Sequence, residues 1–111
     1  MNYIDILRYL LSNMENKPYQ IIYNFSDTAH IILSSTTHIA LRIKYSLCSN
    51  DPNKDYLIVE IYHKENGCLY HKEEIFKDLG IDLTAPEGSE QDKLNKSKMS
   101  VLIDNLRTLW G

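Results

Sequence analysis

The sequence predicts an α+β domain, a five-stranded antiparallel meander with amino- and carboxy-terminal helices packed on one face. Three observations carry that expectation. Across residues 2–15, Tyr3, Ile4, Leu7, Leu10, Leu11 and Met14 recur at three- and four-residue steps, with Asp5, Arg8, Ser12 and Glu15 opposite, as in an amphipathic helix. Between His38 and His71, Ile39, Leu41, Ile43, Tyr45 and Leu47 alternate with His38, Ala40, Arg42, Lys44 and Ser46. Leu57, Val59, Ile61 and His63 then alternate with Ile58, Glu60, Tyr62 and Lys64, again the period of a half-buried strand. A last helix carries Leu94, Met99, Leu102, Ile103, Leu106, Leu109 and Trp110 on a broad apolar face. At 111 residues the chain is expected to form one domain over its full length. Two helices and a half-buried sheet bury their apolar faces most economically as two layers, which leaves the second sheet face open.

The element boundaries follow from turn and breaker residues. Pro18 ends the first helix, because the residue before a proline is pushed out of the helical region. Tyr19, Ile21, Tyr23 and Phe25 mark one side of a first strand, and Ala29–Leu33 a second. If Phe25 and Ala29 both face the core, the turn between them is Ser26 to Thr28; the same parity makes Ser35 to Thr37 the next connection. A slip of two residues would keep every face and stays open. Ser49-Asn50-Asp51-Pro52-Asn53 is a polar loop joining the two longest strands. Asn66-Gly67 suits a two-residue type I′ hairpin, where both positions take positive φ, and a return strand Cys68–His71 follows. Glu73 to Leu79 fits a short helix stopped by Gly80, residues 81–88 are irregular, and Ser89-Glu90-Gln91-Asp92 resembles a capping box. The expected order is α-β-β-β-β-β-α-α.

Composition narrows the function classes. A net charge of −3 gives no basic excess for general nucleic-acid binding. Cys48 and Cys68 lack metal-ligand spacing and are too few for a disulfide framework. No signal-like segment follows Met1 and no apolar run approaches 18 residues, so a cytoplasmic protein without a membrane span is expected. Abundant Asn, Ile, Lys and Tyr, all with AT-rich codons, point to an AT-rich bacterium, phage or mobile element. There is no nucleophile elbow, glycine-rich phosphate loop or metal motif, and hence no expected catalytic residue, metal or cofactor.

Three surfaces remain. On the parity above, Asn24, His30, Arg42, Tyr62 and His71 stand in one outward row across strands about 4.8 Å apart. Two imidazoles, a guanidinium and a phenol could hold a phosphate or cleave RNA by acid–base chemistry, although alternation alone places polar residues on an open face. His63 falls on the apolar side opposite Leu41 and Tyr70, where a buried His–Tyr hydrogen bond is expected; Cys68 shares that face. The second surface is apolar: Ile22 paired with Ile32, Ala40 beside them, and Ile58 and Leu69 elsewhere on the outward face. Lys44 opposite Glu60 reads as an exposed cross-strand ion pair contributing under about 1 kcal/mol. The third is acidic: Glu73, Glu74, Asp78, Asp82, Glu87, Glu90 and Asp92 are opposed only by Lys77 within twenty residues. Such a block can steer a chain onto a basic partner, although helix dipoles also favour acids in first turns.

Small size, missing catalytic motifs, the acidic block and a partly apolar sheet face together favour a stoichiometric protein-binding inhibitor of immunity or anti-defence type. Its expected partner is a protein such as a basic toxin or nucleic-acid-processing enzyme, with no direct nucleic-acid or membrane contact. Glu73, Glu74, Asp78, Asp82, Glu87, Glu90 and Asp92 would supply electrostatics and Ile32, Ile58 and Tyr62 the anchors. A homodimeric secretion chaperone or scaffold ranks second and a small nuclease or phosphodiesterase third.

Overall fold

The computed structural model describes residues 2–14, 20–24 and 27–111. Its elements are α1 (Tyr3–Leu10), β1 (Gln20–Asn24), β2 (Thr28–Ile32), β3 (Thr37–Lys44), β4 (Tyr56–His63), β5 (Gly67–Ile75) and α2 (Glu90–Trp110), with 3-10 turns at Ser12–Met14 and Pro52–Lys54. The strands form one antiparallel sheet in the order β1-β2-β3-β4-β5, the expected meander. The expected roles of Glu15, Pro18, Tyr19, Phe25 and Ser26 lie outside the described residues.

Both helices pack on one face. The core joins Ile6, Leu7, Leu10, Leu11 and Met14 from the first helical segment and Met99, Ile103 and Leu106 from α2 to the odd-numbered side chains of β2, β3 and β4. α1 starts where the Asn2 side chain accepts from the Asp5 amide at 2.9 Å, and Asp5 and Arg8 suit its dipole. It ends earlier than its apolar period, yet Leu11 and Met14 stay buried because the 3-10 turn carries the stripe onward. In α2 the Ser89 hydroxyl accepts from the Asp92 amide at 3.1 Å, half of the expected capping box. The reciprocal arm differs: the Asp92 carboxylate accepts from Gly88 N rather than from Ser89 N. Leu94 and Leu109, expected on the apolar face of α2, point outward instead.

The sheet departs from the expected register. β1 and β2 pair Ile22 with His30, not with Ile32; β2 and β3 pair His30 with Ala40, not with Arg42; and β3 and β4 pair Lys44 with Tyr56, not with Glu60. The first two are slips of two residues and the third of four, so every residue of β1 to β4 keeps its face while losing its expected neighbour; in β5, Cys68 changes face. The larger slip has a local cause. Tyr45 and Leu47 alternate in sequence with the core residues of β3 but lie outside the strand, and Leu47 is 91% exposed. There the Ser46 amide donates to the buried Asp55 carboxylate at 2.9 Å, turning the chain off the sheet.

The Asn66-Gly67 turn and the Glu73–Leu79 segment also differ from expectation. No described non-glycine residue has positive φ, so Asn66-Gly67 does not form a type I′ turn. His63 pairs with Gly67 across a three-residue loop, with Gly67 alone at φ +76, and Leu69 is then an extra residue between the pairs Tyr62↔Cys68 and Ile61↔Tyr70. No helix spans Glu73–Leu79. β5 continues to Ile75 because Phe76 N donates to Asp55 O and Lys77 N to Asn53 O, which hold the chain against the Pro52–Lys54 turn. Phe76, fully buried, anchors that corner.

Candidate functional site

The open sheet face carries the sequence-predicted row, regrouped. Pairing places Ile22, His30, Ala40, Glu60 and His71 in one row; Gln20, Ile32, His38, Tyr62 and Cys68 in the next; and Asn24, Thr28, Arg42, Ile58 and Glu73 in the third. The single row of Asn24, His30, Arg42, Tyr62 and His71 is therefore split among three. Three of its members nevertheless converge on Glu60, expected only as a partner for Lys44. The Leu69 bulge makes this possible, because it shifts the parity of β5 and carries His71 to the outer face opposite Glu60.

Glu60 is 8% exposed on a face that no helix among the described residues covers. One carboxylate oxygen accepts from the Tyr62 hydroxyl at 3.0 Å and from His71 Nδ1 at 3.1 Å, and Arg42 Nε lies 3.5 Å from the other. Burial alone would raise its pKa, but the bonds from His71 and Tyr62 and the Arg42 charge outweigh burial and hold it below the usual carboxylate range. The same bond pushes the Tyr62 phenol up. Cys68 Sγ, 3.8 Å from Glu60, sits on this outer face rather than beside His63. His71 Nε2 lies 3.7 Å from Glu73, and Lys44 joins the edge at 3.8 Å from Glu73.

A ring stack extends the cluster. His38 lies parallel to Tyr62 at 5.6 Å between centroids and edge-on to His30 at 5.3 Å. Burial, then the neighbouring His30, lowers the His38 pKa and favours its neutral form. Thr28, His30, His38, Ala40, Arg42, Glu60 and Tyr62 line a shallow depression, not a cleft. The protons facing Glu60 are already committed to it, so the network chiefly fixes side-chain positions.

The other predicted residues are dispersed. Ile58 is only 3% exposed, between Arg42 and Glu73, so it offers no anchor; Ile32 is half-buried and Ile22 exposed. Glu73 and Glu74 point to opposite faces, and Glu74 pairs with Lys72. The Asp82 carboxylate accepts from Asn53 and Thr84, and Asp92 is buried beneath Tyr9. Asp78, Glu87 and Glu90 are exposed. The seven acids thus do not make one surface. His63 makes no bond to Tyr70: its Nδ1 accepts from Glu65 N and Asn66 N, capping the β4–β5 loop. No group of three or more metal-capable side chains occurs among the described residues.

A second polar network joins α1, α2 and the segment between β5 and α2. Fully buried Asn95 donates to Tyr9 Oη at 3.2 Å and to Asp82 O at 2.7 Å, and accepts from Asp82 N at 3.0 Å and Gln91 Nε2 at 2.8 Å. Tyr9 donates to Asp92 at 2.5 Å. That bond, ahead of the Gly88 amide and the lysine charges, holds the Asp92 carboxyl below its ordinary range, while burial and the same bond raise Tyr9. Asn95 gave no signal in the sequence, since an isolated Asn within a helix normally reads as a solvent-facing residue.

Comparison with protein-family models, curated proteins and solved structures finds no match. No helix among the described residues is long and apolar enough to cross a membrane.

Proposed function

We propose that this chain is a stoichiometric protein-binding inhibitor of immunity or anti-defence type, acting in the cytoplasm, with the open sheet face around Tyr62 as its docking surface. One observation carries the reading: the centre of that face is held in place by the Glu60 network and the His30–His38–Tyr62 stack. Tyrosine and arginine are favoured at the energetic centres of interfaces, and side chains already fixed lose less entropy on binding. Exposed Asp78, Glu87 and Glu90 and the net charge of −3 would steer the chain to a basic partner such as a toxin or nucleic-acid-processing enzyme.

The test is affinity capture from native cells at low and high salt, run in parallel with wild type and a His38→Ala/Tyr62→Ala variant. A near-stoichiometric partner bound by wild type and lost by the folded variant supports the reading. Retention by the variant removes the sheet face, and no partner at either salt removes the inhibitor. A stable homodimer in solution would instead favour a secretion chaperone or scaffold.

The convergence of Arg42, Tyr62 and His71 on Glu60 supports a second reading, phosphodiester cleavage. It requires that the purified protein cleave single-stranded RNA and that Glu60→Gln abolish the activity.

A further inference from the structure

We propose that the cavity between α1, the Pro52–Lys54 turn and the first half of α2 binds a small primary amine with an apolar body. The cavity measures about 490 Å³, within the size range of small-molecule sites. Ile6, Pro52, Leu83 and Ala85 supply apolar walls from three separate stretches of chain. The segment carrying Leu83 and Ala85 is pinned before any ligand arrives: Asn53 Oδ1 accepts from Leu83 N at 2.7 Å, Asp82 accepts from Thr84, and Asn95 grips both backbone groups of Asp82. A pre-formed cavity spares a ligand the cost of ordering its walls.

Its polar end is anionic. Asp92, 4% exposed, accepts from Tyr9 Oη through one oxygen and from Gly88 N at 2.9 Å through the other, and each carboxylate oxygen has capacity for a second donor. Lys96 Nζ is 3.9 Å from Asp92, beyond hydrogen-bond distance, and 5.2 Å above the Tyr9 ring. It balances one carboxylate, while Glu87 adds another negative charge to the lining. A cation therefore fits better than an anion, and an ammonium with N–H groups to donate fits better than a quaternary one. This site lies on the helix side of the molecule and does not depend on the sheet-face reading.

The experiment is NMR titration of isotope-labelled protein with phenethylamine, 2-phenylethanol and 3-phenylpropionate, which share a ring and differ in head group. Phenethylamine is expected to give saturable shifts at Tyr9, Leu83 and Lys96, the alcohol to bind about tenfold more weakly, and the carboxylate more weakly still. Ala85→Phe fills the cavity and should abolish amine binding. Glu87→Gln, at an exposed position, should weaken the amine but not the alcohol. Absence of saturable shifts with phenethylamine at these residues in the folded protein would overturn the site. Equal binding of all three, or tightest binding of the carboxylate, would overturn the assignment of a cation.

Discussion

Replacing Asn95 by alanine tests whether a buried polar network holds the segment between β5 and α2. The side chain has no exposed surface and makes four hydrogen bonds, to Tyr9, to both backbone groups of Asp82 and to Gln91. Truncation affects these partners unequally. Gln91 can turn to water, and Tyr9 keeps its bond to Asp92. The Asp82 N–H and C=O lose their partner in a partly buried position. At about 1–3 kcal/mol for each such group, tempered by partial access to water, the expected loss is about 2–4 kcal/mol. Urea unfolding followed by Trp110 fluorescence, at unchanged m-value, reads this directly. Adding Tyr9→Phe should then cost less than it does in wild type, because the two side chains share a bond. A loss below about 0.5 kcal/mol for Asn95→Ala would refute the argument and leave apolar packing as what holds the segment.

Other expectations follow from burial and charge. Leu106→Ala, in the core, should cost about 2–5 kcal/mol by calorimetry. Leu109→Ala, at a side chain 75% exposed, should stay within about 0.5 kcal/mol; equal losses at both would mean α2 is rotated from the face described. The lowered carboxyls of Glu60 and Asp92 contribute stability above the ordinary carboxylate range that is lost as pH falls through their depressed values. The lowered His38 acts in the same direction from higher pH, since the fold favours its neutral ring and protonation opposes folding. Glu60→Gln should therefore flatten the acid limb of the melting temperature against pH, and an unchanged slope would remove Glu60 from that limb.

Side-chain alternation revealed the strands, their faces and the helical layer, because Ile39, Leu41, Leu57, Val59 and Ile61 have only one way to reach a common core. It could not fix which residues stand opposite one another. Slips of two or four preserve that pattern, and the choice among them rests on events in the connections: Asp55 capturing the Ser46 amide, and His63 capping a three-residue loop where Asn66-Gly67 suggested two. Residues 73–79 fit a short helix stopped by Gly80 on sequence alone, yet bonds to Asn53 and Asp55 set their course, and both partners are distant in sequence. The candidate site shows the same division. Arg42, Tyr62 and His71 were visible as outward polar residues, whereas their meeting point at Glu60 depends on register and on one bulged residue.

β5 is also an edge of the sheet, and a nine-residue edge can recruit further strands. Here Lys72, Glu73 and Glu74 place charge on both sides of that edge, and the Leu69 bulge breaks its regular hydrogen-bond ladder. An incoming strand would have to bury or rearrange these charges along a third of its length. Strand addition at β5 is thereby disfavoured, while the broad face beside it stays uncovered by the described helices.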